Sequence, residues 1–326
     1  VILFYEKMLG RKAFELITDE KESYSILAPI YKEYVKEYPT ENSIKELSTK
    51  ITYAKNMLLN DEEIKNLDET SYPFYDMYKS YNTELKKQKK MDYDDQMIYA
   101  LEILKRYPQI LNHYQEKYKY ICVDEAQDTS KIQHAIVSLL AEKYQNVFMV
   151  GDEDQSVYGF RAAYPEALMD FKKTYKDAKI LMLENNYRST SNIVHIADKF
   201  IKENEFRYDK TMKATRSSGV DVQRVRLKNQ LSQYEYIVSL ASNCKSKTAI
   251  LYRDNECALP IIDLLERKKI PYNIKISDTT FFTNRAVQDV IDIIKFSLNP
   301  YDAEIFMRIY YKLNLYLTKQ NAIIAC

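Results

Sequence analysis

Glycine is scarce in this chain of 326 residues, which contains only Gly10, Gly151, Gly159 and Gly219. None of the four is followed by lysine, so the sequence contains no GxxxxGK[ST] motif. That motif forms the loop whose backbone N–H groups hold the phosphates of a bound nucleotide. A nucleotide hydrolase built from this chain alone would therefore lack its phosphate-binding loop.

Other absences narrow the class of protein further. There is no apolar run of about 18 residues, so no membrane-spanning helix is expected, and no signal peptide is visible. The four cysteines form no CxxC pair and only three histidines are present, which disfavours a structural zinc site. Free thiols are typical of a reducing compartment, so we expect a cytoplasmic protein.

The net charge and the length of the chain set only broad limits on its partners and its number of domains. Lysine and arginine number 48 against 47 aspartates and glutamates, so the net charge indicates no particular partner. Nucleic acid stays possible because a basic groove can lie on a neutral protein. The length is sufficient for two or three domains.

The periodicity of apolar residues changes at about residue 119. Residues 18–118 carry only helical signals, such as Ile26, Ile30 and Tyr34 on one face. Beyond them, short β-rich runs alternate with helical stretches until the chain becomes helical again from about residue 278. The predicted strands are Tyr120–Val123, Val147–Val150, Ile180–Leu183, Val222–Leu227 and Thr248–Tyr252. This alternation predicts an α/β fold with doubly wound parallel sheets.

Two acidic segments follow two of the predicted strands directly. Asp124 and Glu125 come after the first strand, and the segment Gly151–Ser156, which contains Gln155, comes after the second. In open α/β sheets, ligands bind at the carboxyl ends of the strands. A carboxylate pair there is suited to holding magnesium and activating water, so nucleotide hydrolysis is the leading hypothesis. The alternative for Asp124 and Glu125 is an ordinary acidic turn.

Aromatic and basic residues lie close to these segments. Tyr158, Phe160 and Arg161 follow Gln155, and exposed aromatic side chains can stack on bases of any sequence. The alternative for them is core packing. Tyr187 and Arg188 follow the predicted strand Ile180–Leu183, where tyrosine could stack on a purine and arginine could neutralise a transferring phosphoryl group. The alternative for this pair is a helix start capped by Ser189.

A third acidic cluster, Asp92-Tyr93-Asp94-Asp95, has a simpler interpretation. Acidic residues are favoured in the first turn of a helix because of the helix dipole. We therefore predict a helix start here and not a second metal site.

Taken together, the segments VDEAQD, VGDEDQSVYGFRAA and LENNYRS resemble, in this order, those of superfamily 1 DNA helicases of the UvrD, PcrA and Rep type. The resemblance implies that Asp124 holds magnesium, Glu125 activates water and Gln155 contacts the γ-phosphate. It further implies that Tyr187 stacks on adenine, that Arg188 acts as an arginine finger, and that Tyr158, Phe160 and Arg161 contact single-stranded DNA. Phe160 stands where the family usually has tryptophan.

The family resemblance also implies a domain plan with two RecA-like parallel-sheet domains, both incomplete here, and two helical insertions. The implied segments are residues 1–17 and 96–180 for the first RecA-like domain, 18–95 for its insertion, 181–277 for the start of the second domain and 278–326 for the second insertion. Residues 1–326 are therefore expected to be an interior portion of a longer protein and, alone, inactive.

The implied activity is that of a helicase that uses ATP and Mg²⁺ to move along single-stranded DNA, 3′ to 5′, and to unwind partly duplex DNA. One alternative is the helicase portion of an AddA-like helicase–nuclease. Another is a non-catalytic DNA-binding or scaffold module that has kept the fold. A GxxxxGK[ST] motif elsewhere in the complete gene would favour the motor over the scaffold.

Overall fold

The computed structural model describes residues 1–10, 12, 14–68, 72–274, 285–313 and 319–325, apart from the side chains of residues 161, 256, 285, 319 and 325. It contains two compact units, residues 1–222 and residues 223–326. The predicted division between RecA-like domains at residue 180 falls inside the first unit and stays a prediction. Within the described residues, no helix combines the length and apolarity needed to cross a membrane.

The first part of unit one is almost entirely helical, as its periodicity predicts. Its elements are α1 Ile2–Leu9, β1 Glu15–Leu16, α2 Glu20–Val35, α3 Glu41–Asn56, α4 Asp61–Lys65, α5 Phe74–Gln88, β2 Lys90–Met91, α6 Tyr93–Arg106 and α7 Pro108–Lys117. Helices α2 to α5 enclose a hydrophobic core of their own, whose buried members run from Ile17 to Leu85 and include Leu27, Leu47 and Phe74.

Two very short strands lie at the beginning and at the end of this helical segment. Strand β1 pairs in parallel with β2, with Glu15 opposite Lys90 and Leu16 opposite Met91. Neither strand was predicted, because two residues are too few to show an alternating pattern. Their pairing brings the beginning and the end of the α2–α5 segment together.

A buried ion cluster joins α3 to the start of α6. Lys55 is only 2% exposed, and its Nζ lies 2.6 Å from Asp92 Oδ2 and 2.7 Å from Asp95 Oδ1. The neighbouring Asn56 donates a 2.7 Å hydrogen bond to Asp94 Oδ1. The predicted helix start is confirmed, with Asp94 and Asp95 in the first turn of α6, and Asp92 additionally caps the helix and forms a capping box with Asp95. The lysine between these carboxylates could not be foreseen from the local pattern.

Burial and pairing act in opposite directions on Lys55. Burial lowers the pKa of its ammonium group, but the charges of Asp92 and Asp95 outweigh burial and raise the pKa above the ordinary value of 10.5. Because the pKa of Lys55 is raised, the stability that this residue contributes is fully present at neutral pH and is lost as the pH rises through its folded-state pKa. Burial raises the pKa of Asp95, so the ionised carboxylate of Asp95 offsets part of that contribution.

Strands and helices alternate through the rest of unit one. Unit one continues with β3 Ile121–Val123, α8 Lys131–Ala141, β4 Val147–Met149, α9 Glu166–Met169, α10 Phe171–Thr174, β5 Asn185–Thr190, α11 Ser191–Ile201 and β6 Lys213–Arg216. Unit two contains α12 Gln230–Ser242, α13 Leu259–Arg267, α14 Arg285–Leu298, α15 Ala303–Ile309 and α16 Lys319–Ala325. Its core lies between α12 and α13, around Val238, Ile261 and Leu265.

In the described part of the chain the strands pair in parallel, as expected for an α/β protein, but in three separate two-stranded sheets: β1–β2, β3–β4 and β5–β6. Three predicted strands are wrong. Residues 180–183, 222–227 and 248–252 have no strand structure, and their apolar side chains such as Leu181 and Leu251 are exposed. An apolar run becomes a strand only where a neighbouring strand satisfies its backbone groups.

The first prediction concerns Lys55. Replacement Lys55→Met should destabilise the protein by about 3–5 kcal/mol, because it leaves two buried carboxylates without a cation. The matched control is Lys79→Met, since Lys79 Nζ also lies 2.7 Å from a carboxylate, that of Asp61, but both side chains are exposed. Its loss should stay below about 1 kcal/mol. Urea denaturation followed by circular dichroism measures both, and equal losses would contradict a structural role for the buried cluster.

Candidate functional site

The site is built on the paired strands β3 and β4. Ile121, Cys122 and Val123 lie opposite Val147, Phe148 and Met149. The pairing continues past the strand ends, where Val150 N donates to Val123 O at 2.8 Å and Ala126 N donates to Val150 O at 2.9 Å. The segments that begin at Asp124 and Gly151 therefore leave the same edge of the sheet side by side.

Glu125 occupies a backbone conformation that is unusual for its residue type. Its φ is 48° and its ψ is 43°, in the left-handed region. A residue with a Cβ atom is strained there by about 1–2 kcal/mol, and such strain clusters at functional sites. Asp124 Oδ1 accepts a hydrogen bond from Glu125 N at 3.0 Å. Both carboxylates are exposed at the strand end.

Gln127 connects the two acidic segments. Its side chain is buried, with 1% of the residue exposed. The Nε2 group donates to Glu125 Oε2 at 2.7 Å, and Oε1 accepts from the backbone N–H of Asp152 at 3.0 Å. The Gln127 carbonyl also accepts from the Ser156 hydroxyl at 3.1 Å. No role was predicted for Gln127, although an amide two residues after Glu125, the carboxylate predicted to be catalytic, is the sequence signal that could have suggested one.

Gly151 is required by the close approach of this amide. A Cβ atom at position 151 would lie 2.7 Å from Gln127 Oε1, 2.7 Å from Leu168 Cδ1 and 3.2 Å from the backbone nitrogen of Ala126. The first two contacts are closer than Cβ atoms tolerate. The glycine therefore lets the second segment pass directly over the first.

Gln155 lies on the second acidic segment, in the 3₁₀ turn Glu153–Gln155. Its side chain is exposed, and its Nε2 donates to Asp152 Oδ2 at 2.7 Å. Because Gln127 holds the backbone of Asp152, the amide of Gln155 and the carboxylate of Glu125 belong to one hydrogen-bonded unit. The structure thus brings together Asp124, Glu125 and Gln155, which the sequence predicts to share a site.

Two cations that the sequence analysis missed balance the acidic turn. The guanidinium of Arg207 binds Asp154 with both Nε (3.0 Å to Oδ1) and Nη2 (2.8 Å to Oδ2). Lys210 Nζ lies 2.6 Å from Asp152 Oδ1, 3.0 Å from Glu153 Oε1 and 3.2 Å from Asp154 Oδ2. These three carboxylates approach one another closely enough to hold a metal ion. Here the ammonium of Lys210 occupies the place between them.

The charges in this network reinforce one another. Burial raises the pKa of Asp154, but its bonds with Arg207 and Lys210 outweigh burial and lower the pKa below 3.8. The pKa of Lys210 is raised, since its bonds with Asp152 and Glu153 outweigh the effect of burial. Asp154 and Lys210 therefore stay ionised at neutral pH. Asp124 and Glu125 are left as the exposed carboxylates that could hold a divalent cation, because magnesium takes few protein carboxylates and several waters or phosphate oxygens.

The predicted DNA-contacting aromatic residues are not part of a core. Tyr158 is 40% exposed and Phe160 is 58% exposed, with their ring centroids 6.0 Å apart. The turn Gly159–Arg161 lies against α3. The side chain of Arg161 lies outside the described part of the structure. The exposure of both rings disfavours core packing, the alternative for this pair.

Tyr187 and Arg188 lie within β5, whereas the sequence placed them after a strand that ends at residue 183. Tyr187 is 72% exposed. The backbone of Arg188 is fixed by its own N–H, which donates to Asn186 Oδ1 at 3.1 Å, and by its carbonyl, which accepts from Arg216 Nη1 at 2.7 Å. Among the described residues, no hydrogen bond or ion pair joins the side chains of Tyr187 or Arg188 to Glu125.

Two family profiles match most of the chain. Residues 5–176 match the UvrD/REP helicase N-terminal domain, and residues 181–323 match the UvrD-like helicase C-terminal domain. The junction between the two matches lies just before β5, the strand that carries Tyr187 and Arg188.

Curated relatives show the same similarity. ATP-dependent DNA helicase PcrA of Bacillus subtilis is 32% identical over 302 residues, which are 90% of this chain and 41% of the relative. Putative ATP-dependent DNA helicase YjcD of Bacillus subtilis is 32% identical over 87% of this chain and 38% of its own length. PcrA of Staphylococcus epidermidis is 34% identical over 69% of the chain and 32% of its own length. The chain thus spans about two fifths or less of these relatives.

The close contact at Gly151 gives the second prediction. Gly151→Ala should destabilise the protein by about 1–3 kcal/mol, because the added methyl group must displace Gln127 or Leu168. Gly159→Ala is the matched control, since a Cβ atom at position 159 meets nothing within 4 Å. Thermal unfolding measures both variants. A control that loses as much stability as Gly151→Ala would show that overcrowding is not the cause.

Proposed function

We propose, since the chain belongs to the UvrD/REP helicase family, that it forms part of an ATP-dependent DNA helicase. The relatives that carry this name are longer, so the proposed activity belongs to the full-length protein. Its substrate would be single-stranded DNA joined to duplex, and its direction 3′ to 5′. The family membership rests on the matched profiles over residues 5–176 and 181–323.

The observation that carries the proposal is the amide bridge of Gln127. It holds Glu125 at 2.7 Å and the backbone of Asp152 at 3.0 Å, so the acidic strand end and the Gln155 turn keep one geometry. A general base works only when it is held within reach of the water that it deprotonates. The strained backbone of Glu125 is consistent with such a fixed position.

Asp124, Glu125 and Gln155 would each have a separate role in phosphoryl transfer. Asp124, together with phosphate oxygens, would hold Mg²⁺, which when bound neutralises charge on the phosphates. Glu125 would take the proton from the attacking water. Gln155, with a neutral amide on the adjoining turn, would hydrogen-bond the terminal phosphate and report its loss to the Asp152 segment.

Tyr187 and Arg188 would act on the same nucleotide from β5. The exposed ring of Tyr187 is available to stack on adenine, and the planar guanidinium of Arg188 is suited to charge that develops on a phosphoryl group. Their backbone is held by the pairing of β5 with β6 and by Arg216.

The DNA contact would be made by the turn that follows Gln155. Tyr158 and Phe160 are exposed on this turn, only a few residues from the proposed γ-phosphate contact. Bases stack on aromatic rings with little regard to sequence. A change at the phosphate would therefore reach the DNA through a very short stretch of chain, which is the coupling that a translocating motor needs.

The third prediction tests the general base. In the full-length protein, Glu125→Gln should abolish ATP hydrolysis and leave ATP binding intact, since the amide keeps the shape of the carboxylate but cannot accept the proton. Phosphate release with single-stranded DNA and binding of a fluorescent ATP analogue measure the two effects. Loss of nucleotide affinity with unchanged turnover per bound ATP would remove Glu125 from this role. A wild-type protein that binds DNA without hydrolysing ATP would favour the scaffold alternative.

The fourth prediction tests the DNA contact. Tyr158→Ala and Phe160→Ala should each weaken binding of a labelled oligothymidine by about 1–3 kcal/mol, the usual contribution of a stacked base. Tyr38→Ala is the control, because Tyr38 is also an exposed aromatic residue, 81% accessible, but follows α2 in the helical segment. Fluorescence anisotropy measures affinity and a thermal melt measures folding. Lower melting temperatures with unchanged affinity would assign the two rings to packing.

A further inference from the structure

Residues 207–213, which we call the connector, follow α11 and end at the first residue of β6, and charged contacts hold them at both ends. Toward the acidic turn, Arg207 and Lys210 bind the carboxylates of residues 152–154. The backbone N–H of Tyr208 also donates to Glu153 Oε1 at 2.9 Å. The first half of the connector is therefore attached to the segment that carries Gln155.

The second half of the connector is attached to the beginning of β5. Thr211 N donates to Glu184 Oε1 at 3.1 Å, and Lys213 Nζ lies 3.0 Å from Glu184 Oε2. The backbone N–H of Lys213 donates to the Glu184 carbonyl at 2.7 Å. Glu184 immediately precedes the strand that carries Tyr187 and Arg188.

The Arg207–Asp154 pair is the most specific contact of the connector. Both side chains are more than nine-tenths buried, at 9% and 8% exposure. Two parallel N–H···O bonds fix the orientation of the partners as well as their distance. Lysine in place of Arg207 would keep the charge but lose this planar fork. Removing one partner of a buried ion pair is strongly destabilising, because the remaining charge is left uncompensated.

We infer that Arg207 is a positioning residue for ATP hydrolysis, which sets the place of Gln155 relative to Arg188 by clamping the connector onto the acidic turn. The inference rests on the proposed function, because it requires both side chains to act on one nucleotide. Neither of the two would touch Arg207. Its effect would pass through Asp154 on one side and through Glu184 and β5 on the other.

The test is Arg207→Lys in the full-length protein. The kcat of DNA-stimulated ATP hydrolysis should fall by about tenfold to a hundredfold, the loss expected when catalytic groups shift by about 1 Å. The KM for ATP and the affinity for oligothymidine should stay near those of the wild type. The matched control is Arg267→Lys, since Arg267 Nε makes a similar pair with Asp263, 3.0 and 2.9 Å from its two oxygens, on the exposed face of α13.

If Arg207→Lys folds poorly, a second variant tests whether the Arg207–Asp154 pair positions the catalytic groups. Asp154→Glu keeps both charges and lengthens one partner by a methylene group, so it should shift the connector and lower kcat in the same way. In a background of Arg188→Ala, either change should have little further effect on the residual turnover, because their common target is already gone. A purely structural role would lower the melting temperature and would not produce this non-additivity.

The outcomes separate the two proposals. A wild-type protein without DNA-stimulated hydrolysis would overturn the proposed function, and the inference with it. An active wild type with normal kcat in both Arg207→Lys and Asp154→Glu would overturn the inference alone. Fully additive losses with Arg188→Ala would also overturn it.

Discussion

The buried amide of Gln127 is the interaction on which the geometry of the candidate site depends. An amide offers a donor at one end and an acceptor at the other, and Gln127 uses both, on Glu125 and on the backbone of Asp152. Neither a carboxylate nor an ammonium could make both contacts without leaving a buried group unsatisfied. Gly151 provides the space for this bridge. The two parallel strands supply the common edge, but the amide fixes how their acidic ends meet.

Two clusters of buried charged side chains lie in the described part of the first unit, and in each of them cations and carboxylates face one another. Lys55 lies between two carboxylates at the start of α6, and Arg207 with Lys210 balances the carboxylates of residues 152–154. Burying ions costs free energy that their mutual attraction only partly offsets, so such clusters contribute defined geometry more than stability. In this chain, both clusters join segments that are distant in sequence. By contrast, the exposed carboxylates Asp124 and Glu125 remain accessible to a ligand.

The sequence predicts the local parts of this structure well and the long-range contacts poorly. Helical periodicity identifies α2 to α8, and the short runs before Asp124 and Gly151 identify β3, β4 and the edge at which the site lies. Composition alone cannot tell an apolar run with a pairing partner from one without, which explains the three wrong strands. The role of Arg207 depends on Asp154, 53 positions away, and that of Lys55 on Asp92, 37 positions away. Nothing in a local window connects such pairs.

The pairing of β1 with β2 has a consequence for how this fold can vary. Because Leu16 lies opposite Met91, the α2–α5 segment leaves and re-enters the rest of the chain at neighbouring points, and its core is its own. Loop-closure entropy grows only slowly with length, so a segment with closed ends can lengthen at a small cost in entropy. Parallel strands, however, cannot be joined by a tight turn. The α2–α5 segment could therefore be replaced by another crossover between β1 and β2, but it could not be removed. Its sequence can diverge, whereas the two strands at which it is attached cannot.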